Sequence, residues 1–310
     1  MPVSSRVSRR GFLSGGASVF LSATAANGSS GVRRVDTPLG YAEIPVSPKR
    51  VLAIDSRVSL ESALALDLPV VGYSHSRVRP WVPLPAGVPM LTAPPDLEQI
   101  LMMAPDLILC PDTAPNSDWW PLNRLSSIAP VLPSSHLYSW QVNLEQLGNW
   151  LGKLPLVRMR LKEHGEQIAD IRRAHANALA NLRFAALYYD PLKRRAIVCS
   201  HGTGYGLVMP AQVLFELGGQ EVRADRLGPY GEVALESFGE VLGDIDAILL
   251  IDFGNGATRE LSSEPLWQRL PAVRANRIHI IRGNCVFGSF YTARYLADGW
   301  RDLFALEHTQ

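Results

Sequence analysis

The sequence predicts an α/β fold in which two similar lobes are joined by one long, rigid α-helix. Three observations carry this. Leu156 to Phe184 holds neither a proline nor a pair of glycines and is rich in Ala, Leu, Arg, Glu and Lys, all good helix formers. Its apolar positions, Val157, Leu161, His164, Ile168, Ile171, His175, Ala178 and Leu182, recur at steps of four and three, one stripe on a helix face. On either side lie segments with the same grammar, DLEQILMMAPDLILC and ALESFGEVLGDIDAILLI, each a glutamate-bearing helix followed by an aliphatic strand.

Taken in order, the chain opens with Ser8-Arg9-Arg10-Gly11-Phe12-Leu13, a twin-arginine signature, and a short apolar run ending in Ala23-Thr24-Ala25-Ala26. The run is well under the ~20 residues that span a bilayer, and no cysteine follows it, so a cleaved export signal over 1–26 without lipid attachment is expected. Removing it takes Arg6, Arg9 and Arg10 and no acid, which lowers the net charge from +1 to −2. That charge, with 19% charged residues, argues against binding nucleic acid by neutralising phosphates. Three cysteines, Cys110, Cys199 and Cys285, are too few for a disulfide framework and are expected to be buried.

The first lobe is expected over 27–154. Asn27 to Tyr41 reads as a tail or edge hairpin. Arg50 to Ile54, Pro69 to Tyr73 and Asp106 to Cys110 read as strands buried on both faces, with helices at Ser59–Leu66 and Asp96–Met103 between them. A strand at 130–133 follows a helix around 122–128, and Leu144 leads into the connector, expected over 155–184. The second lobe, 185–310, has strands at 195–199, 246–251 and 277–281. Its helices are expected at 211–217, stopped by Gly218-Gly219, at Val233–Leu242 and at Phe290–Phe304.

Ligands of α/β sheets bind beyond the carboxyl ends of strands. The loops expected there carry Tyr73, Arg77, Trp81, Trp119, Trp120, Tyr138, Trp140, Tyr205, Tyr230, Phe287 and Tyr291. Gly202-Thr203-Gly204-Tyr205-Gly206 brings its third glycine one residue early for a dinucleotide fingerprint and reads as a backbone turn. No HExxH, GxSxG or paired-cysteine metal motif is present, so no catalytic residues, metal site or intrinsic cofactor are assigned and an enzyme is not expected. His164 and His175 fall on the connector stripe and are read as packing residues. His75, His136, His201 and His279 have no diagnostic metal spacing.

The segments PKRVLAIDSRVSLESALALDLPVVGYS, PDLEQILMMAPDLIL, VLFELGG, ALESFGEVLGDIDAILLI and PLWQRLPAVRANRIHII, in this order, resemble the periplasmic binding proteins of the iron-siderophore and cobalamin type. The likeness covers about Pro48 to His308. The loop Arg79-Pro80-Trp81-Val82-Pro83-Leu84-Pro85, the pair Tyr230-Gly231 and the PLWQRLPAVRANR stretch bring it closest to ferric-hydroxamate receptors. The resemblance implies two Rossmann-like lobes on a helical backbone and a monomeric receptor with no direct membrane insertion. It also implies an Fe(III)-siderophore as ligand and an ABC importer permease as partner. It places Trp81 and Tyr230 on opposite walls of the ligand cleft, and makes Glu98 and Glu236 the acids that dock on the permease. Where the hydroxamate receptors carry an arginine and a tyrosine, this chain has Thr92 and Ala114, and Arg57, Arg77, Arg79, Arg223 or Arg226 could supply the positive charge from another direction. Haem or cobalamin is the alternative cargo, and a periplasmic chelatase or hydrolase on a related scaffold the reading from another class.

Overall fold

The computed structural model describes residues 31–77, 79–112 and 116–306, so the twin-arginine segment and Ala114 lie outside the described residues. The chain opens with an antiparallel hairpin, β1 (Val32–Thr37) and β2 (Gly40–Pro45). Its turn needs the left-handed φ of +100° that Gly40 supplies. It then runs through β3 (Val51–Ala53), α1 (Val58–Ala65), β4 (Val70–Tyr73), α2 (Leu97–Met102), β5 (Leu107–Pro111), α3 (Leu122–Leu125) and β6 (Val131–Ser134). The four strands from β3 to β6 form an all-parallel sheet in the order β4-β3-β5-β6. Val51, Leu52 and Ala53 are fully buried, as the unalternated apolar run required of a strand covered on both faces. Helix α1 is buried at every position, Glu61 and Ser62 included.

Ser139 caps α4 (Trp140–Trp150), its hydroxyl accepting from the Val142 amide at 3.2 Å. The Trp150 indole donates to the Asp36 carbonyl at 2.9 Å, which ties the hairpin to this helix. After a turn at Gly152 comes the connector α5 (Leu154–Ala174), 21 residues and roughly 30 Å long. Val157, His164, Ile168 and Ile171 are its buried residues, the expected stripe.

The connector is shorter than its sequence pattern. His175 leaves the helix at φ −123°, ψ 28°, a separate short helix α6 (Ala176–Asn181) follows, and Arg183–Asp190 is strand β7 rather than the last helical turn. No glycine or proline stops the helix, so the cause is tertiary. Phe184 is fully buried against Trp300 and Phe304, and its strand is held by pairing with strands on both sides.

The second lobe contains β8 (Arg195–Val198), α7 (Met209–Leu217), β9 (Gln220–Glu221), β10 (Glu232–Ala234), α8 (Phe238–Val241) and β11 (Ala247–Asp252). It closes with α9 (Ala257–Ser263), α10 (Pro265–Gln268), α11 (Pro271–Arg274), β12 (Ile278–Arg282) and α12 (Phe290–Ala305). Its sheet runs β10-β8-β7-β11-β12, with β9 beside the start of β7. β8 is antiparallel to both of its neighbours, so the sheet is mixed. The helix expected over 233–242 is mostly something else. Val233 pairs with Ala196 on the sheet edge, Leu235–Ser237 is a 3₁₀ turn, and only Phe238–Val241 is α-helical. Gly218 ends α7 at φ +80°, as its position predicted. Cys110, Cys199 and Cys285 are buried and unbridged, and burial pushes the Cys285 thiol up to about 12.

Two polar welds cross between the lobes. Glu61 reaches from α1 to the start of α12, where its carboxylate accepts from the Ser289 and Thr292 amides at 2.8 and 3.0 Å and from the Thr292 hydroxyl at 2.6 Å. Arg79 completes the site as its buried ion-pair partner. A carboxylate there also meets the positive end of the helix dipole. In the second weld, Glu216 of α7 bonds His164 of the connector and accepts from the Trp140 indole and Gln141 amide of α4 at 3.2 and 2.6 Å. Removing one partner of a buried ion pair strands the other, so Glu61→Ala is expected to cost about 3–5 kcal/mol of unfolding free energy in urea titrations. A loss below about 1 kcal/mol, the worth of an exposed pair, would show that Glu61 braces nothing.

Candidate ligand-binding cleft

Each strand of the first sheet hands a side chain to one place. Arg57 follows β3, His75 follows β4, Trp119 and Trp120 follow β5, and His136 follows β6. The second lobe adds Phe287 from the loop after β12 and Gly204 and Tyr205 from the loop after β8. Together these residues line a cavity of about 400 Å³ between the lobes, beyond the carboxyl ends of the first sheet's strands. A roomier groove of about 570 Å³ lies between the β1–β2 hairpin and the α3–β6 edge. Its only charged lining residue is Glu43, and of the first parallel sheet it touches only the start of β6 at Val131, so the cleft is the better site.

Arg57 is the fixed cation of the cleft. Asp55, fully buried two residues earlier, accepts from Arg57 Nε at 2.9 Å and from the Val58 amide at 3.0 Å. His136 Nε2 stands 3.7 Å from the other carboxylate oxygen. Burial alone would raise the Asp55 pKa, but Arg57 and the His136 hydrogen bond outweigh it and hold the carboxyl far below its usual range. Asp55 therefore stays ionised and fixes the guanidinium, whose Nη groups have no protein acceptor among the described residues. The Phe287 ring lies 5.1 Å from the guanidinium carbon and 4.7 Å from the His136 ring, on which it stacks.

His75 stands at φ +85°, its ring 5.5 Å from Trp119 and 6.5 Å from Trp120, with a buried Nδ1 that no described group bonds. Burial and the Arg57 charge push its pKa down, so at neutral pH it adds a polar edge and no charge. Opposite, Gly204 and Gly206 allow close approach rather than phosphate binding. A Cβ on Gly204 would stand 2.7 Å from the Tyr230 ring, and one on Gly206 2.7 Å from the His136 carbonyl. That carbonyl accepts the Leu207 amide at 3.1 Å, which joins the lobes at the cleft floor. Tyr205 packs on Tyr230 with ring centres 5.3 Å apart.

The residues expected from sequence divide. Tyr205 and Phe287 line the cavity, and Tyr230 stands half-exposed beside Tyr205 at the rim. Tyr138 edges a narrow recess that it shares with His136 and Phe287. Trp81 does not line the cleft cavity. Its ring stacks on Tyr295 at 3.9 Å and its indole donates to Thr292, packing the loop of the first lobe against α12. Arg79 is consumed by Glu61, Arg223 by Asp225 and Arg226 by Asp244, while Arg77 is exposed outside the cavity lining. Arg57 alone of the five lines the cavity. Its sequence signal was slight, an acid two residues before an arginine just past a strand; His75 and His136 offered only their places after strands. Glu98 and Glu236 are exposed and form no ion pair among the described residues. In a titration of imidazole proton resonances, His75 is expected to show a midpoint below the ordinary 6.5. Because the folded state prefers the neutral ring, its contribution to stability is present above that value and lost as pH falls below it. A midpoint at or above 6.5 would mean that neither burial nor Arg57 governs this ring.

Comparison with known proteins agrees with this architecture. The family model described as periplasmic binding protein matches residues 58–284. An iron-uptake system-binding protein of Bacillus subtilis is 24% identical over 201 residues, 60% of this chain and 58% of that protein's length. A periplasmic solute binding protein of Mycobacterium smegmatis superposes with a TM-score of 0.74 at 18% identity, covering 89% of this chain and 98% of that one. A siderophore binding protein of Vibrio cholerae, solved with Fe3+–Desferal, gives 0.68 at 20% identity over 83% and 98% of the two chains. A Staphylococcus aureus protein complexed with staphyloferrin B gives 0.68 at 19% over 88% and 98%. With the family match extending over most of the chain, from α1 to the loop after β12, this protein belongs to the periplasmic binding protein family.

Proposed function

We propose that the protein is the receptor of an ABC importer, that it captures an Fe(III)-siderophore between its lobes, and that it passes the chelate to a membrane permease without catalysing a step. It acts as a monomer in the periplasm, reached through the twin-arginine signal. The supporting observation is the cleft itself, a single braced arginine among aromatic and imidazole rings. Arg57 can donate to several chelating oxygens at once, and the rings cover the apolar flanks of a bulky complex. Among the described residues no group of three or more His, Cys, Asp or Glu is placed to hold a metal. No described helix is long and apolar enough to cross a membrane.

The charge in the cleft favours the hydroxamate class. Asp55 offsets Arg57 and His75 is held neutral, so the lining carries little net charge. Three singly charged hydroxamates cancel the charge of Fe(III), whereas three doubly charged catecholates leave a trianion that one compensated arginine matches poorly. Trp119 and Trp120 line the cavity, so binding should quench intrinsic fluorescence. A panel of ferric hydroxamates, catecholates and carboxylates, with haem and cobalamin, tests the reading. Quenching is expected to be tightest for the neutral hydroxamates, and silence across the panel would overturn it. Arg57→Ala should weaken binding about 10- to 100-fold, the loss of charged hydrogen bonds worth ~1.5–3 kcal/mol. Unchanged affinity would remove Arg57 from the site. His75, His136 and Tyr205 on the same lining favour haem as the second reading; a Soret band lost on changing one of them would select it.

Glu98 and Glu236 are the proposed permease contacts. Reversing both charges, Glu98→Lys with Glu236→Lys, should abolish uptake and leave chelate affinity unchanged. Normal uptake would discard the assignment.

A further inference from the structure

Three large apolar side chains stand out of the surface beside those two acids. On α2, Leu101 is 57% and Met102 79% exposed, and only Ile100 of the helix is buried. They follow Glu98 by three and four residues, so all three occupy one helix face. In the second lobe Leu192, 95% exposed, tips the turn between β7 and β8. The Leu235 amide bonds the Arg194 carbonyl at 3.0 Å and Ala234 pairs with Arg195, which sets that turn against the one carrying Glu236.

The Leu192 turn is built. Asp190 accepts the Lys193 amide at 3.3 Å, Arg194 pairs with Glu264 at 3.1 Å, and Arg195 pairs with Glu232 at 3.3 Å. Around it the acids Asp190, Glu232 and Glu264 are all matched by arginines, and Glu236 is left unmatched among the described residues. Other strongly exposed rings have partners in the chain, Tyr41 beneath Arg34 and Phe215 against His201. Among the described residues Leu192 and Met102 are the two most exposed large hydrophobic side chains, Met102 four residues after Glu98 and Leu192 on the turn bonded to the one that carries Glu236.

We infer that each lobe grips the permease through an acid with an apolar anchor, Glu98 with Leu101 and Met102 on one side and Glu236 with Leu192 on the other. This rests on the receptor reading and deepens its docking surface. The receptor reading makes the occupant the permease, and charge complementarity gives its chemistry: an outer face that presents, at two points, a cation beside an apolar recess. The acids alone would be held weakly at a wet surface, where ion pairs contribute little. An apolar side chain seated next to each excludes water from the pair and adds its own burial, the arrangement of an anchored interface with a polar neighbour. The welds at Glu61 and Glu216 hold the lobes together, so the two grips keep one spacing.

The test compares Met102→Ser with Leu192→Ser, singly and together, in the full-length protein. Retention of the receptor on membrane vesicles carrying its importer is measured with and without Fe3+–Desferal, beside fluorescence quenching and thermal melting. The double variant should lose at least tenfold in retention while melting and chelate affinity stay at wild-type levels, and Leu192→Met should keep retention. Wild-type retention by Met102→Ser/Leu192→Ser, where Glu98→Lys/Glu236→Lys is not retained, would overturn the anchors and leave the receptor reading intact. Retention of both double variants would overturn the whole docking surface. A wild-type protein that docks but is quenched by no chelate would instead overturn the cargo reading and leave the anchors standing.

Discussion

The carboxylate of Glu61 is the group on which the shape of the cleft depends. It comes from a helix of the first lobe with no exposed face, and it is spent on the first turn of a helix in the second. A charge in such a place is tolerated only when every oxygen is bonded and a counter-charge is near, and Ser289, Thr292 and Arg79 meet both demands. The loop that enters this helix carries Phe287, which stacks on His136 and lies over Arg57. Moving the start of α12 would therefore move the wall of the site. Trp81 belongs to the same construction, with one edge on Thr292 and its face on Tyr295.

That coupling bears on how the two lobes can move. The connector alone would permit bending at its ends, since α5 stops at Ala174 and the chain turns at His175. Glu61 at one place and Glu216 at another add links that bending would have to break, and the Leu207 amide bonds His136 across the floor. A cavity assembled this way is largely preformed. On the proposed reading, affinity would come from fitting rings and a fixed guanidinium to a rigid chelate rather than from ordering loops, which keeps the entropic cost of binding low.

Much of the fold was legible because a strand covered on both faces announces itself. The strands read at 50–54 and 246–251 from their apolar runs fall at Val51–Ala53 and Ala247–Asp252, and Gly218 ends its helix as its place after VLFEL predicts. The errors share a cause. Leu182 continues the helical stripe, yet it already has extended backbone at ψ 153°, because burial of Phe184 against Trp300 and Phe304 makes the segment that follows a strand. Val233 likewise gains more from pairing at a sheet edge than from a helical turn. The site was legible as a position and less so as a membership. Strand ends indicated the loops that line the candidate cavity, and Tyr205 and Phe287 came with them. Trp81 and Arg79 are on such a loop too, but which lobe their side chains face depends on Thr292 and Glu61, distant in sequence.

The displaced arginine follows from the same packing. Arg79 sits on a loop that would suit a ligand contact, and Glu61 takes it out of circulation. A cleft left with no cation would bind oxygen-rich chelates poorly, and Arg57 stands where the loss can be made good. It needs an acid to hold it, and Asp55 supplies one without facing the cavity. The cleft thus gains a directed donor while its net charge stays near zero, because the brace cancels what the donor adds. Charge and direction are normally set by the same residue; here Asp55 separates them, so a neutral chelate can be oriented by an arginine without the site becoming a general trap for anions.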